Sequence, residues 1–152
     1  MKELNKIVFI DDDIPTNEYH RFISKKANVS NETLFFTTGE SALSYLADIS
    51  SKYEFPDLVF IDINMPGMDG HEFIDVVRGL PNFNDERTVL AYLTTTMTNK
   101  DVAEYSKNGM KHYYFKTISA PRLCEIVKEI FNIDLNSSIK DTPVKGQRTK
   151  LP

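Results

Sequence analysis

Polar residues that can do chemistry stand directly behind the short apolar runs of this sequence. Three acids at residues 11–13 follow the first run, and Asp62 follows the third. Thr94 stands behind the fourth run and Lys116 behind the fifth. In an open parallel sheet, ligands bind beyond the carboxyl ends of the strands. If the runs are strands of such a sheet, these acids, this hydroxyl and this lysine share one edge.

Such a set of residues favours magnesium chemistry. Asp11, Asp12 and Asp62 would repel one another and raise one another's pKa values, so a cation must offset them. Mg²⁺ binds oxygen ligands, keeps several waters and takes few carboxylates plus a phosphate. The backbone carbonyl of Asn64 can supply a further oxygen. The sequence therefore predicts a magnesium site at this edge.

Asp62 is the candidate nucleophile of the edge. An aspartate held beside Mg²⁺ can attack a phosphorus atom and form an aspartyl phosphate. The phosphoryl oxygens must then be neutralised, and Lys116 can pair with one while the hydroxyl of Thr94 donates to another. The residues predict phosphoryl transfer to Asp62.

Five strand-helix units are expected to position these residues. The apolar runs are short and rich in β-branched and aromatic residues without strict alternation, which favours strands of a parallel sheet buried on both faces. Amphipathic segments separate the runs, so we predict an α/β fold with helices on both faces of the sheet. The predicted strands are residues 6–10, 33–38, 57–61, 88–93 and 111–115, and the predicted helices are residues 15–27, 39–49, 71–78, 99–107 and a last helix capped by Ser119.

Composition restricts the class of protein. The chain has 152 residues and a net charge of −4, and no apolar run reaches the roughly 20 residues of a membrane span. An acidic body is a poor nucleic-acid binder, so we expect neither direct nucleic-acid binding nor membrane insertion. Cys124 is the only cysteine, which agrees with a reducing compartment and a cytoplasmic protein. We expect one folded domain over residues 1–134 and a disordered basic tail over residues 135–152.

The motifs resemble those of the receiver domains of two-component response regulators. The stretches that carry the resemblance are IVFIDDD, PDLVFIDINMPGMDG, VLAYLT and GMKHYYFK, and together they run over most of the predicted domain. The resemblance implies a flavodoxin-like, doubly wound (βα)5 fold with a five-stranded parallel sheet in the order 2-1-3-4-5. It also implies a role for each motif residue: Asp62 as phosphoacceptor, Asp11, Asp12, Asp62 and the Asn64 carbonyl as Mg²⁺ ligands, Lys116 as the lysine of the site, and Thr94 and Tyr113 as switch residues.

The resemblance further implies a signalling function. A phosphohistidine on a sensor histidine kinase or a histidine phosphotransfer protein would donate the phosphoryl group to Asp62. The new charge would draw Thr94 inward and let Tyr113 repack, which would alter binding to a downstream target protein. We expect a single-domain response regulator, because little chain follows Phe131. Such a protein catalyses only its own phosphorylation and dephosphorylation and is not a turnover enzyme.

One residue departs from the family pattern. The family usually places proline after the lysine, with a cis peptide bond, and this sequence has Thr117 there. A cis bond before another residue type is costly, so both cis and trans forms are open. We therefore expect the loop behind the fifth strand to be looser than in the family.

Two other functions remain open. Asp11 and Asp13 stand in the D-x-D relation that begins haloacid dehalogenase-like phosphatases, although that interpretation leaves the Asp62 loop unexplained. A receiver-like module that binds partners without phosphorylation is the other alternative, because of Thr117. His20, His71 and His112 show no metal-ligand spacing, and we assign them no chemical role.

Overall fold

Strands and helices alternate along the whole of the structure. The computed structural model describes residues 3–133, so the predicted tail at residues 135–152 lies outside the described residues. A 3₁₀ helix at Lys52–Glu54 precedes the third strand. In chain order the other elements are β1 (Leu4–Ile10), α1 (Ile14–Ala27), β2 (Ser30–Phe36), α2 (Gly39–Ala47), β3 (Leu58–Ile61), α3 (Gly70–Val77), β4 (Val89–Thr94), α4 (Asn99–Lys107), β5 (Tyr113–Phe115) and α5 (Ala120–Phe131).

The five strands form one parallel sheet in the order β2-β1-β3-β4-β5. This order confirms the flavodoxin-like fold that the resemblance implied. Ile10 pairs with Phe36 on one side and with Ile61 on the other, and Thr94 pairs with Phe115. The carboxyl ends of the strands are therefore nearly level, so residues that follow them lie along one edge.

Alternation along the strands divides the core between two helical layers. In β1, Ile7 and Phe9 belong to the cluster that contains buried residues of α1 and α5. Val8 and Ile10 belong to the opposite cluster, which contains buried residues of α2 and α3. Successive side chains of a strand point to opposite faces, so one apolar run supplies both layers.

Side-chain caps set most helix starts. Asp13 caps α1 by accepting a hydrogen bond from the Thr16 N–H. Thr98 and Asp101 form a capping box at the start of α4, and Ser119 caps α5 as predicted. Thr38 caps α2, which explains why β2 ends at Phe36 and not at the predicted residue 38.

Two expectations about the strands need correction. We predicted strands buried on both faces, which is wrong for β2 and β5. Both are edge strands, so their outer side lacks a neighbouring strand, and Tyr113 and Phe115 are exposed. The prediction is confirmed for β3, whose four residues are all buried.

The loop behind β5 is also different from our expectation. The Lys116–Thr117 peptide bond is cis. Ile118 is buried, and its N–H donates a hydrogen bond to Nε2 of His20 at 3.3 Å. The expectation of a looser loop is wrong, because both the side chain and the backbone of Ile118 are held by the core.

Within the part that the structure describes, no helix is both long and apolar enough to cross a membrane.

Candidate functional site

Asp11 and Asp62 begin the site at the centre of the sheet. Each follows its strand directly, and the two strands, β1 and β3, are neighbours. The chain winds from β1 outward to β2 and then returns to β3 on the other side of β1, so the winding reverses between these two strands. Open α/β sheets bind ligands at such a switch point. Both aspartates are buried, with exposed fractions of 4% and 5%.

Lys116 joins the two aspartates. Its Nζ lies 2.7 Å from Oδ2 of Asp11 and 3.1 Å from Oδ2 of Asp62. The backbone fixes the lysine as well, because its N–H continues the sheet by donating to the Thr94 carbonyl at 2.9 Å. Sequence and structure thus agree that residues 11, 62 and 116 meet at one edge.

Burial and the ion pairs act in opposite directions on the pKa values of the site. Burial raises the pKa of Asp62 and outweighs the opposing effect of Lys116. Burial lowers the pKa of Lys116, but its hydrogen bonds to Asp11 and Asp62 outweigh this effect, so the pKa is raised overall. The lysine therefore stays charged, and it is the cation that compensates the two buried carboxylates.

Asp12 completes the acidic cluster and Asp13 does not. One carboxylate oxygen from each of Asp11, Asp12 and Asp62 lies within 4.8 Å of the others, and Asp12 is exposed. Asp13 instead uses its carboxylate to cap α1, where it accepts from both N–H and Oγ1 of Thr16 at 3.0 and 2.5 Å. The D-x-D pair on which the phosphatase interpretation depends is therefore divided between the cleft and a helix cap.

The acidic cluster fits a magnesium ion in chemistry and in size. Its donors are all oxygens, and Mg²⁺ prefers oxygen ligands at about 2.0–2.1 Å with several waters retained. Oxygens on one such ion are at most about 4.2 Å apart, so the observed spacing needs only small side-chain movements. Lys116 leaves the cluster with an excess of negative charge, because one ammonium faces three carboxylates.

Thr94 places a hydroxyl at the same edge of the sheet, and this hydroxyl lacks a hydrogen-bond partner within residues 3–133. The residue is completely buried as the last residue of β4. Its Oγ1 forms no hydrogen bond with any group in residues 3–133. A buried hydroxyl without a partner destabilises a protein, so this atom is available to a group that enters the cleft.

The other two predicted site residues lie at the surface. Asn64 is exposed in the loop behind Asp62, and its carbonyl stays a predicted ligand. Tyr113 is 43% exposed on β5, and its ring packs edge-on against that of Tyr105 from α4 at 5.2 Å. The position of Tyr113 between the edge strand and α4 is compatible with a switch, which stays a prediction.

Gly70 begins α3 in close contact with the backbone behind Asp62. A Cβ at this position would lie 2.6 Å from the carbonyl oxygen of Asp62 and 2.9 Å from Cα of Ile63, which is too close for any side chain. The Gly70 N–H also donates to the Ile63 carbonyl at 2.9 Å. The first turn of α3 is therefore pressed directly against the backbone of Asp62.

Sequence reasoning missed two buried polar residues of α1. Asn17 donates from Nδ2 to the Asp11 carbonyl at 2.9 Å, and His20 accepts from Ile118. Both lie on the buried face of the helix together with Ile23. Polar residues at buried positions of an amphipathic helix were the signal that could have identified them.

His71 is a third residue that sequence reasoning missed. Its Nδ1 lies 2.6 Å from the hydroxyl of Tyr92, and its Nε2 lies 3.1 Å from Oδ1 of Asp101. Burial raises the pKa of Asp101, but the hydrogen bonds from His71 and from Thr98 outweigh it, so that pKa is lowered. The imidazole thus connects α3, β4 and the first turn of α4, and no spacing in the sequence indicates this contact.

The sequence is similar to those of known signalling proteins. The response regulator receiver domain family matches residues 7–128. The sensor histidine kinase CheAY of Helicobacter pylori is 31% identical over 83 residues, which are 55% of this chain and 10% of the kinase. The response regulator protein VraR of Staphylococcus saprophyticus is 28% identical, and the match covers 91% of this chain and 61% of VraR. The chain spans less than two thirds of the length of either relative.

The fold has similar solved structures. A two-component response regulator from Cytophaga hutchinsonii has a TM-score of 0.74 at 23% sequence identity, and the match covers 87% of this chain and 100% of that chain. This likeness supports the assignment of the fold.

Proposed function

Because the chain belongs to the response regulator receiver domain family, we propose that it is a single-domain response regulator that accepts a phosphoryl group on Asp62. The buried pair of Asp11 and Asp62, bridged by Lys116 at the switch point of the sheet, carries the proposal.

The proposed step is a transfer from phosphohistidine to a carboxylate. A carboxylate oxygen of Asp62 attacks the phosphorus, the bond from phosphorus to the imidazole nitrogen breaks, and an acyl phosphate forms. The leaving imidazole nitrogen keeps the electron pair of the broken bond and takes up a proton. Asp11, Asp12, Asp62 and the Asn64 carbonyl would hold Mg²⁺, which when bound neutralises charge on the phosphoryl oxygens.

Lys116 and Thr94 stabilise the charge that arrives with the phosphoryl group. Lys116 already contacts Asp62 through Nζ at 3.1 Å, so a small movement brings the ammonium to a phosphoryl oxygen. The Thr94 hydroxyl gains the hydrogen bond that residues 3–133 do not provide. Thr94 is therefore better paired after transfer than before it, while Lys116 keeps a negatively charged partner.

The output of the proposed switch is binding to another protein. Movement of Thr94 at the end of β4 would let Tyr113, which is exposed on β5, repack against α4. The donor would be a sensor histidine kinase or a histidine phosphotransfer protein, and the receiver of the signal would be a downstream target protein in the cytoplasm. The protein would act as a switch and not as a turnover enzyme.

Intact mass spectrometry tests the proposal. The full chain is incubated with acetyl phosphate, with and without MgCl₂, and weighed. We expect one added phosphoryl group that requires Mg²⁺ and is absent in Asp62→Asn. Asp75→Asn, which changes an exposed aspartate of α3, is the matched control and should be phosphorylated like the wild type.

Two results would replace the proposal by one of the alternatives. A wild-type chain that gains no mass while it binds Mg²⁺ would favour a binding module that works without phosphorylation. Steady release of phosphate that survives Asp62→Ala but not Asp11→Ala would favour a phosphatase.

A further inference from the structure

His20 lies beneath the loop that carries Lys116. The imidazole is completely buried on α1, and its ring stacks on that of Phe9 with centroids 5.1 Å apart. Its Nε2 accepts the hydrogen bond from the Ile118 N–H at 3.3 Å. The partners are 98 residues apart in sequence, so this contact joins the first helix to the last loop of the domain.

Few polar contacts hold the backbone of this loop on the side of α1. The Lys116 N–H donates to the Thr94 carbonyl, which anchors the loop to β4 on the opposite side. Ser119 caps α5 through the Arg122 N–H and so anchors the far end. Between these anchors, the polar contact from the loop backbone to the rest of residues 3–133 is the bond to His20.

The chemical state of His20 suits an acceptor. Burial, with a smaller effect of Lys116, lowers the pKa of His20 to about 4, so the ring is neutral near pH 7. A neutral imidazole has one nitrogen that accepts and one that carries the proton. Since Nε2 accepts from Ile118, Nδ1 carries the proton, and Nδ1 finds no partner within residues 3–133.

Leucine would not remove the buried unpaired donor at this position. The Nδ1–H of His20 has no partner within residues 3–133, but a leucine would leave the buried Ile118 N–H without its acceptor. The two residues therefore differ chiefly at the loop, where only the imidazole accepts the hydrogen bond from Ile118. This difference points to a role of His20 at the loop.

We infer that His20 is a positioning residue for phosphoryl transfer, which holds the 116–118 loop so that Lys116 meets Asp11 and Asp62. Two links then connect the same two segments of the chain, the ion pair from Asp11 to Lys116 and the hydrogen bond from His20 to Ile118. The effect of His20 on phosphorylation rests on the proposed function. The effect of His20 on the position of the loop does not depend on the proposed function.

His20→Leu tests the inference, because leucine fills the space and cannot accept a hydrogen bond. We expect hydrogen exchange of the Ile118 amide to accelerate about tenfold and phosphorylation by acetyl phosphate to slow on the order of tenfold. Mg²⁺ affinity, measured by calorimetry, should not fall, because the carboxylates are untouched and a loosened Lys116 competes less for them.

Two further variants separate positioning from stability. In His20→Gln the amide oxygen can reach the place of Nε2, so we expect both rates to return to within about threefold of the wild type. Ile23→Ala removes a buried side chain one turn along the same helix and should lower stability without changing the phosphorylation rate.

The outcomes distinguish the two proposals. If His20→Leu phosphorylates at the wild-type rate with an unchanged Ile118 amide, or if Ile23→Ala slows phosphorylation equally, the inference is overturned. If the wild type itself is never phosphorylated, the proposed function fails while the amide exchange of Ile118 still decides whether His20 holds the loop. If His20→Leu does not fold, the wild-type protein itself is measured by NMR. Scalar coupling between the Ile118 nitrogen and Nε2 of His20 would support the hydrogen bond, and its absence would overturn the contact.

Discussion

Lys116 Nζ lies 2.7 Å from Oδ2 of Asp11, although 105 positions separate the two residues in sequence. The ammonium also contacts Asp62, so it occupies carboxylate oxygens that a magnesium ion would need. Lysine and metal are therefore partial competitors for the same buried charge.

Replacing this lysine should strengthen magnesium binding. In Lys116→Met the cation that competes for Asp11 and Asp62 is gone, so we expect Mg²⁺ affinity to rise about fivefold to tenfold. Isothermal titration calorimetry measures the affinity directly. Lys111→Met, which removes an exposed lysine before β5, is the control and should bind like the wild type. An unchanged affinity in Lys116→Met would show that the metal binds away from this pair.

The buried hydroxyl of Thr94 gives a prediction for the stability of the unphosphorylated protein. Thr94→Val removes a buried hydroxyl that lacks a partner within residues 3–133, so the unphosphorylated protein should gain about 1 kcal/mol in free energy of unfolding. Urea unfolding without Mg²⁺ measures this gain. Thr95→Val, at the exposed neighbouring position, should stay within about 0.5 kcal/mol of the wild type. A clear loss of stability in Thr94→Val would mean that the hydroxyl already has a partner.

Close approach of α3 to Asp62 is testable at Gly70. Gly70→Ala would place a methyl group 2.6 Å from the Asp62 carbonyl oxygen, so backbone must move and we expect a loss of about 1–3 kcal/mol. In Gly79→Ala the nearest heavy atom, the Val76 carbonyl oxygen, is 3.5 Å away, which is ordinary contact. Urea unfolding of the two variants should therefore differ, and equal stabilities would contradict the tight packing.

The meeting of Asp11, Asp62 and Lys116 could be predicted because it follows from a general rule. Parallel strands align their carboxyl ends, so a residue behind one buried strand lies near a residue behind the next. The apolar runs identified the strands, and caps such as Ser119 identified the helix starts. Local sequence patterns were sufficient for features that depend on a single segment, such as the position of a strand or the start of a helix.

The contacts of His20 and His71 could not be predicted in the same way. His20 meets a backbone N–H 98 residues away and His71 meets a carboxylate 30 residues away, and neither distance corresponds to a local spacing. Burial of β5 was misjudged from its apolar composition, although the strand order that the resemblance implied places β5 at an edge of the sheet. These features depend on tertiary packing, which the chain determines only as a whole.

His71 should couple energetically to Asp101. Its Nε2 lies 3.1 Å from Oδ1 of Asp101, and both side chains are largely buried, so losing one partner leaves the other unpaired. A double-mutant cycle of His71→Phe and Asp101→Asn should give a coupling energy of about 1 kcal/mol from urea unfolding. The control cycle pairs His71→Phe with Asp85→Asn, which changes an exposed aspartate in the loop before β4, and should be additive. Additivity in both cycles would contradict a bond between α3 and α4.

Acid should destabilise the protein through His20. Burial lowers its pKa in the folded state to about 4, whereas the unfolded chain has the ordinary value of 6.5. Between these values the unfolded state binds more protons than the folded state. The contribution of His20 to the free energy of unfolding is therefore fully present above about pH 6.5, falls as the pH is lowered toward 4, and is lost below about pH 4. The expected loss from this group is about 1.4 kcal/mol between pH 7.5 and 5.5 and about 3 kcal/mol below pH 4.

Comparison with His20→Leu isolates this contribution from the carboxylates. Aspartates and glutamates titrate in both proteins, so they cancel in the difference between the two unfolding curves. We expect the free energy of unfolding of the wild type to fall relative to that of His20→Leu by about 1.4 kcal/mol when the pH is lowered from 7.5 to 5.5. A difference that stays constant with pH would mean that His20 is protonated equally in the folded and unfolded chains. That result would contradict the prediction, which rests on the burial of His20 beneath the 116–118 loop.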